Sequence, residues 1–305
     1  MVNKAAAKLR AQLAEQDKVV LCPGVQDGLS ARVCLDEGFE NLYMTGAGTA
    51  ISVLGLPDLG LTTVDDMVRN AGMIASLDRN VPVIADADTG YGGPLSVART
   101  VERYIQAGIA GLHIEDQTTT KRCGHLMGKE LVDIPTYIAR IRAAVTARAA
   151  SGDDIVIIAR TDALQSLGYE EAIRRLRAAA EAGADVVFLE GMGNKEQMRN
   201  SVQDLSPTPC FLNMVQGGLT PLVTKDEARE MGYRIVIWPC FAMTAAILAY
   251  REAAKELKES GMIAERRDAS GKVMGGVREC FEVCGLNKYA DFDKEMGGQA
   301  FANGV

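Results

Sequence analysis

Short apolar runs alternate with helix-period segments along nearly the whole chain. Val19–Cys22 is a first apolar run, followed by a helix over Gln26–Glu37 in which Leu29, Val33 and Cys34 recur at helical spacing. Next come the run Asn41–Met44, the Gly-rich turn Thr45-Gly46-Ala47-Gly48 and a helix over Val64–Ser76. Val81–Ala85 runs into the turn Asp86-Ala87-Asp88-Thr89-Gly90-Tyr91-Gly92-Gly93, and Pro94 opens another helix. Gly111–Ile114 ends in Glu115, and the polar loop Asp116–Lys129 separates it from a helical run starting at Pro135. Ile155–Ala159, Asp185–Leu189, Pro209–Leu212 and Arg234–Ile237 complete the apolar runs. A helix over Tyr169–Ala182 lies between the first two of these, and a long one runs from Pro239 to about Lys258.

That pattern gives eight strand candidates, each followed by a helix or a loop and helix. Several strands are nearly continuous apolar runs, as expected when both faces are buried. Regular βα alternation predicts a closed (β/α)8 barrel of the TIM type ahead of an open doubly wound sheet. The chain has no Walker-type loop and no G-x-G-x-x-G, so a dinucleotide fold loses its main support. Past Ser260 the pattern changes: Gly261–Gly271 is polar, and Val273, Val277, Cys280, Phe281 and Cys284 then recur at helical spacing. The expected organisation is a barrel domain over residues 1–260 and a linker with a helical segment over 261–305. The apolar face of that last helix needs a surface to cover, on its own barrel or on a neighbouring subunit.

Composition narrows the class without changing the picture. At 305 residues, 48% hydrophobic and 24% charged, the chain reads as globular. A net charge of -7 argues against nucleic acid or an anionic membrane as a partner, and no apolar run approaches a membrane span. Seven scattered cysteines read as reduced thiols in a cytosol-like compartment. Lys4, Lys8 and Arg10 precede the first acid, Glu15, which faintly resembles an organelle transit peptide. The stretch is Ser-free and reads better as a short first helix, so the cytoplasm is expected with a mitochondrial location left open. The last residues, Asn303-Gly304-Val305, carry no peroxisomal or ER-retention signal.

In such a barrel the reactive end is where strands pass into βα loops. Asp86, Asp88, Glu115, Arg160, Glu190 and Asn213 all fall there. Asp86 and Asp88, two apart, are expected on one face of their strand, with Glu115 on the next strand about 4.8 Å away. Two like charges ~5 Å apart at an effective dielectric of 20 repel by roughly 3 kcal/mol. A proton, a nearby Lys or Arg, or a bound cation would relieve this, and an all-oxygen set suits Mg2+ or Mn2+ better than zinc. The alternative is salt bridging to helix lysines. Arg160 is a natural fork for a carboxylate, and Thr45-Gly46-Ala47-Gly48 offers backbone N–H groups at close approach. His113, inside an apolar run, reads as a barrel histidine, whereas His125 lies in a loop. Cys123 has Lys121, Arg122 and His125 within two positions, and cations favour a thiolate. The plainer reading of that loop is a solvated basic segment with an incidental cysteine.

Lys121-Arg122-Cys123-Gly124-His125-Leu126 resembles the isocitrate lyase signature. Asp86-x-Asp88-Thr-Gly-Tyr-Gly, His113-Ile-Glu115-Asp-Gln and Ala159-Arg160-Thr-Asp162-Ala are similar, in order, to other blocks of the phosphoenolpyruvate mutase/isocitrate lyase superfamily. The resemblance runs from about Cys22 to Ala242. It implies a (β/α)8 barrel whose last helix is exchanged between subunits, usually of a tetramer. It also implies Mg2+ held by Asp86, Asp88 and Glu115, in part through water. Tyr43, Thr45, Gly46 and Ala47 would line the substrate site, with Lys121, Arg160, Glu190 and Asn213 also holding a small dicarboxylate. Asp58 matches an acid near the metal, and the Cys123 loop a mobile gate on which Gly124 and His125 grip a carboxylate.

Within the superfamily, phosphonate mutases lack the Cys-Gly-His element. Methylisocitrate lyases continue it with Arg-Pro-Asn, where this chain has Leu126-Met127-Gly128-Lys129. That element resembles the branch of 2,3-dimethylmalate lyases and oxaloacetate acetylhydrolases. In that branch a serine near the end of the eighth strand goes with the hydrolases, and this chain has Pro239 there. The implied activity is Mg-dependent retro-aldol (Claisen-type) cleavage of a malate-like diacid, first 2,3-dimethylmalate to pyruvate and propionate. Cys123 would be the general acid, with Tyr43, Asp58 or a metal-bound water as base. Oxaloacetate hydrolysis to oxalate and acetate is the alternative, methylisocitrate cleavage a weaker one, and a non-catalytic dicarboxylate-binding barrel the reading from another class.

Overall fold

The computed structural model describes residues 3–301 and 304; the final residue, Val305, lies outside the described residues. Asn3 caps the first helix, α1 (Lys4–Ala14), by accepting from the Ala6 N–H, and Ala5, Ala6 and Leu9 are buried beneath it. The basic N-terminal stretch is therefore a docked helix. Arg10 ties it down, donating from Nη2 to Asp154 at 2.9 Å and from Nη1 to Asp185 at 3.0 Å.

Eight strands follow among the described residues: β1 (Val20–Val25), β2 (Leu42–Met44), β3 (Val83–Asp86), β4 (Gly111–Glu115), β5 (Val156–Thr161), β6 (Val186–Leu189), β7 (Cys210–Asn213) and β8 (Ile235–Trp238). Each pairs in parallel with the next, and β8 pairs back to β1, so the sheet closes as the predicted (β/α)8 barrel. The helices between them are α2 (Gly28–Asp36), α3 (Gly46–Thr49), α4 (Val64–Leu77), α5 (Pro94–Ala107), α6 (Ile134–Ser151), α7 (Leu164–Leu167), α8 (Tyr169–Glu181), α9 (Lys195–Leu205) and α10 (Lys225–Met231). Two apolar layers result. Tyr43, Ile84, Ile158, Phe188, Phe211 and Ile235 fill the barrel interior, and outward strand residues such as Leu112, Ile114 and Ile157 pack under α4, α5 and α6.

The boundaries differ from the sequence reading where local chemistry outweighs the apolar pattern. The first strand continues through Pro23-Gly24 to Val25, because a closed barrel gives both residues a neighbour: Pro23 pairs with Trp238 and Gly24 with Tyr43. A Cβ on Gly24 would lie 2.3 Å from the Pro239 carbonyl oxygen, so a glycine is what lets β1 meet the turn after β8. The expected Gly-rich turn is instead the one-turn helix α3, with the Thr45 hydroxyl accepting from the Gly48 N–H, continued by a π-turn over Ala50–Leu54.

The long helix starts at Phe241, not Pro239: α11 (Phe241–Ser260) stands in eighth-helix position, yet none of its residues is buried. Beyond it, the helix expected from Val273 is two helices, α12 (Val277–Val283) and α13 (Leu286–Glu295), split at Gly285 with φ +89°. α12 lies against α2 of its own chain. Phe281, Tyr289 and Phe292 on these last helices are more than half exposed. No described helix is long and apolar enough to cross a membrane.

Candidate active site

The C-terminal ends of the strands carry the polar residues, and strand register decides which of them meet. Asp86 pairs with His113 across β3 and β4, while Glu115 pairs with Arg160 across β4 and β5. Asp88 lies beyond the strand with φ +47°, so the expected shared strand face does not exist. Its carbonyl accepts from the Glu115 N–H at 2.8 Å and its carboxylate turns to Thr62 Oγ1 (3.3 Å) and the Lys121 ammonium. Of the three proposed metal acids, only Asp86 lines the central cavity. A Cβ on Gly46 would lie 2.4 Å from Asp86 Oδ2, so Gly46 serves the site by making room for that acid.

Lys121 does not reach the cavity either. Its ammonium is buried between Asp58 and Asp88. Burial alone would lower its pKa, but Asp88, Glu115, Asp58 and Asp86 hold it well above the ordinary value. Arg160 Nη1 lies 3.3 Å from Glu115 Oε2 and opposes the strong upward push that burial gives the Glu115 carboxyl. Like-charge repulsion among the acids is thus relieved by two buried cations.

Four carboxylates still face those cations, one of which is shared with Asp162 and Glu190. Surplus negative charge on hard oxygen donors fits a divalent cation such as Mg2+. Among the described residues no three His, Cys, Asp or Glu side chains converge at ligation geometry. A cation here would be held among Asp86, Asp88 and Glu115 with Asp58 beside them, and of these Asp86 and Asp58 line the cavity.

The loop between β4 and α6 closes over this cluster. The Cys123 N–H donates to the Asp58 carbonyl at 3.2 Å, and Gly124 presses on the opposite wall. A Cβ on Gly124 would come within 2.2 Å of Arg160 Nη2. Cys123 lines the cavity and its thiol pKa is raised, first by burial, with a backbone hydrogen bond at His125 opposing. The sequence expectation that neighbouring cations favour the thiolate is corrected: Lys121 faces the acids, and the thiol is the stable form. His125 Nε2 lies 3.4 Å from Asn213 Nδ2 and 3.7 Å from Glu190 Oε1.

On the far wall Asn213 donates to Glu190 Oε2 at 2.8 Å, which leaves the buried Asn213 Oδ1 without a partner in a cavity of polar walls. Arg160, expected to offer its fork to substrate, gives Nε and Nη2 to Asp162 at 3.0 Å each, and its guanidinium lies 5.2 Å over the Phe188 ring. Burial would raise the Asp162 carboxyl, but Arg160 and Lys129 hold it below the usual range. Tyr43 is buried with its hydroxyl 2.8 Å from His113 Nε2, and burial followed by the Asp86 charge keeps it protonated. Burial lowers the His113 pKa against the pull of Asp86, whose Oδ1 is 3.6 Å from His113 Nδ1.

The cavity brings together Tyr43, Thr45, Ala47, Asp58, Asp86, Cys123, Gly124, His125, Arg160, Glu190, Asn213 and Pro239. Phe188, Val215 and Cys240 also line it and were not expected. Asp162 and Lys129, too, escaped the sequence reading as parts of the site. Asp162 was legible in principle, since it follows Arg160 by two along an extended chain. Lys129 closes the Leu126–Lys129 element that resembles one branch of the superfamily, but its partners, from the gate tip and from β5, are not legible in that element.

Comparison with known proteins agrees with this architecture. The family model described as phosphoenolpyruvate phosphomutase matches residues 9–258. The 2,3-dimethylmalate lyase of Eubacterium barkeri is 39% identical over 288 residues, 94% of this chain and 96% of that one. A crystal structure of 2,3-dimethylmalate lyase superposes with a TM-score of 0.94 at 53% identity, over 100% of this chain and 99% of the other. A structure of oxaloacetate acetylhydrolase in complex with 3,3-difluorooxalacetate gives 0.93 at 50% identity, over 98% and 99%.

Proposed function

The chain belongs to the phosphoenolpyruvate mutase/isocitrate lyase superfamily and is a carbon–carbon lyase, and from that premise we propose a malate-like 2-hydroxy dicarboxylate as its substrate. The first choice is 2,3-dimethylmalate, cleaved to pyruvate and propionate. The observation that carries this choice is Pro239 in the cavity wall, where an apolar ring suits a C2-methyl group and has no hydrogen to donate to a hydrated ketone.

A divalent cation, Mg2+ in our reading, would supply a Lewis acid for the substrate's C1 carboxylate and C2 oxygen. Asp86, Asp88 and Glu115 would hold it, with Asp58 beside them. The residues of the chain do the rest. The C2 hydroxyl proton leaves to a base for which Asp58 is the candidate in the cavity, since burial and the Asp86 charge keep the sequence-expected Tyr43 protonated. C2 becomes a carbonyl, the C2–C3 bonding pair passes to C3, and the Cys123 thiol delivers the proton that completes propionate. The upward pKa of Cys123 supports this direction, because a general acid must carry its proton. Arg160, held by Asp162, and His125 with Asn213 and Glu190 would fix the distal carboxylate. Thr45 and Ala47 would line the near wall, and Gly46 gives Asp86 its space.

Oxaloacetate hydrolysis to oxalate and acetate is the second reading, favoured by the 50% identity to an oxaloacetate acetylhydrolase. Purified protein assayed on both diacids with Mg2+ separates them. Pyruvate release from 2,3-dimethylmalate is expected to dominate, and oxalate from oxaloacetate with no turnover of dimethylmalate would overturn the choice.

We further propose a barrel domain over 1–260, a linker and helical segment over 261–305, and a cytoplasmic homo-oligomer that exchanges its last helices in a tetramer. The unburied α11 and the exposed Phe281, Tyr289 and Phe292 support the exchange.

A further inference from the structure

We infer that Lys129 is a positioning residue that latches the gate over the active site. The two ends of the gate are zipped together: the Thr118 N–H donates to the Glu130 carbonyl at 2.8 Å, and the Val132 N–H to the Asp116 carbonyl at 2.9 Å. An antiparallel bridge joins Gln117 and Leu131 between them. Lys129 leaves this fixed base with its side chain 1% exposed. Its ammonium donates to the carbonyl of Gly124, at the tip beside Cys123, and lies 3.3 Å from Asp162 Oδ1. Asp162 is itself immobilised, by its N–H on Asp116 Oδ1 at 2.9 Å and by the Arg160 fork.

One buried cation therefore joins three bodies: the base of the loop, the barrel wall and the moving tip. A buried ammonium needs partners, and Asp162 keeps it in place whether the tip is up or down. The Gly124 carbonyl is the only one of its two partners that closure brings, so closing satisfies a donor that opening leaves to water. Lys129 does not line the cavity and touches no reacting group. It acts through Gly124 and Cys123.

The inference rests on reading the 117–131 segment as a gate, but its test reads chemical accessibility, not turnover, so failure of the substrate assignment leaves it standing. In the full-length protein, alkylation of Cys123 by iodoacetamide is followed by peptide mass spectrometry against pH, with the fully buried Cys22 as an internal control for unfolding. In Lys129→Met the plateau rate at Cys123 is expected to rise about tenfold or more, the population shift from losing one hydrogen bond to a charged group. Any movement of the midpoint should be downward, because opening relieves the burial that raises the thiol, and Lys129→Arg should bring the rate back towards that of the unaltered protein.

Unchanged labelling in Lys129→Met overturns the latch. So does a moved midpoint with an unchanged plateau, which would make Lys129 a charge acting on the thiol. If Lys129→Met also labels Cys22, the barrel has opened, and Lys129→Gln takes its place with the same two readings deciding.

Discussion

Replacing Gly124 with alanine adds one methyl group where the closed gate touches the barrel. That carbon would lie 2.2 Å from Arg160 Nη2, 2.8 Å from Glu190 Cγ and 2.9 Å from Asp162 Oδ1, against 3.4–4 Å for ordinary contact. Arg160 cannot withdraw, because Asp162 holds two of its nitrogens at 3.0 Å, Glu115 lies 3.3 Å from the third and Phe188 lies under its plane. The loop must yield instead, by roughly 1 Å, and a misplacement of that size costs about 100-fold in rate. This equals about 2.7 kcal/mol of transition-state stabilisation, taken mainly from the thiol next door. The conformation of Gly124 is not left-handed, so the backbone itself tolerates alanine. The assay is kcat/KM on whichever diacid the unaltered protein turns over, alongside a thermal melt. The melting temperature should stay within about 2 °C, since only a loop is disturbed. Activity within about threefold of the unaltered protein would refute the argument, and so would a collapse of the melting temperature.

Cys123→Ser should lower kcat by about 100-fold or more with metal binding intact, as loss of a general acid does; near-normal turnover would sink the acid role. Because burial raises the thiol pKa and the acid works protonated, kcat should hold through neutral pH and fall only above the ordinary thiol value of 9.0, as a pH–rate profile will show. Exhaustive chelation should abolish turnover and Mg2+ or Mn2+ restore it, and survival of activity without metal would remove the Lewis acid. Arg10 holds the Asp154 carboxyl below its ordinary value of 3.8, a stabilisation present above that pH and lost as acid protonates the folded carboxylate. Arg10→Leu should therefore cost about 1 kcal/mol at pH 7 and flatten the acid limb of stability, read by urea unfolding across pH. An equal loss at pH 2.5 and pH 7 would contradict it.

The fold was legible because burial on both faces writes each strand as a continuous apolar run, and eight such runs with helices between them leave few ways to close. The position of the acids at one end of the barrel followed from the same pattern. What the pattern could not carry was direction. Lys121 sits beside Cys123 in sequence, but its long side chain turns to Asp58 and Asp88, so neighbours in sequence serve opposite sides of the site. Asp88 breaks strand alternation through one left-handed residue, a turn property that apolar periodicity does not register. The Asp162–Lys129 pair joins positions 33 apart that no local pattern connects.

Gly24 meets residue 239 through its carbonyl oxygen, carbonyl carbon and Cα, all of them main chain. The fold therefore grips the backbone at the position we read as choosing the substrate and leaves its side chain to the cavity. Selection can try a different group there without disturbing the barrel, since loss of the proline ring costs about 1 kcal/mol at most where the backbone already suits it. Sister activities in such a lineage are then separated by a short mutational walk, and a change of diet needs no new architecture.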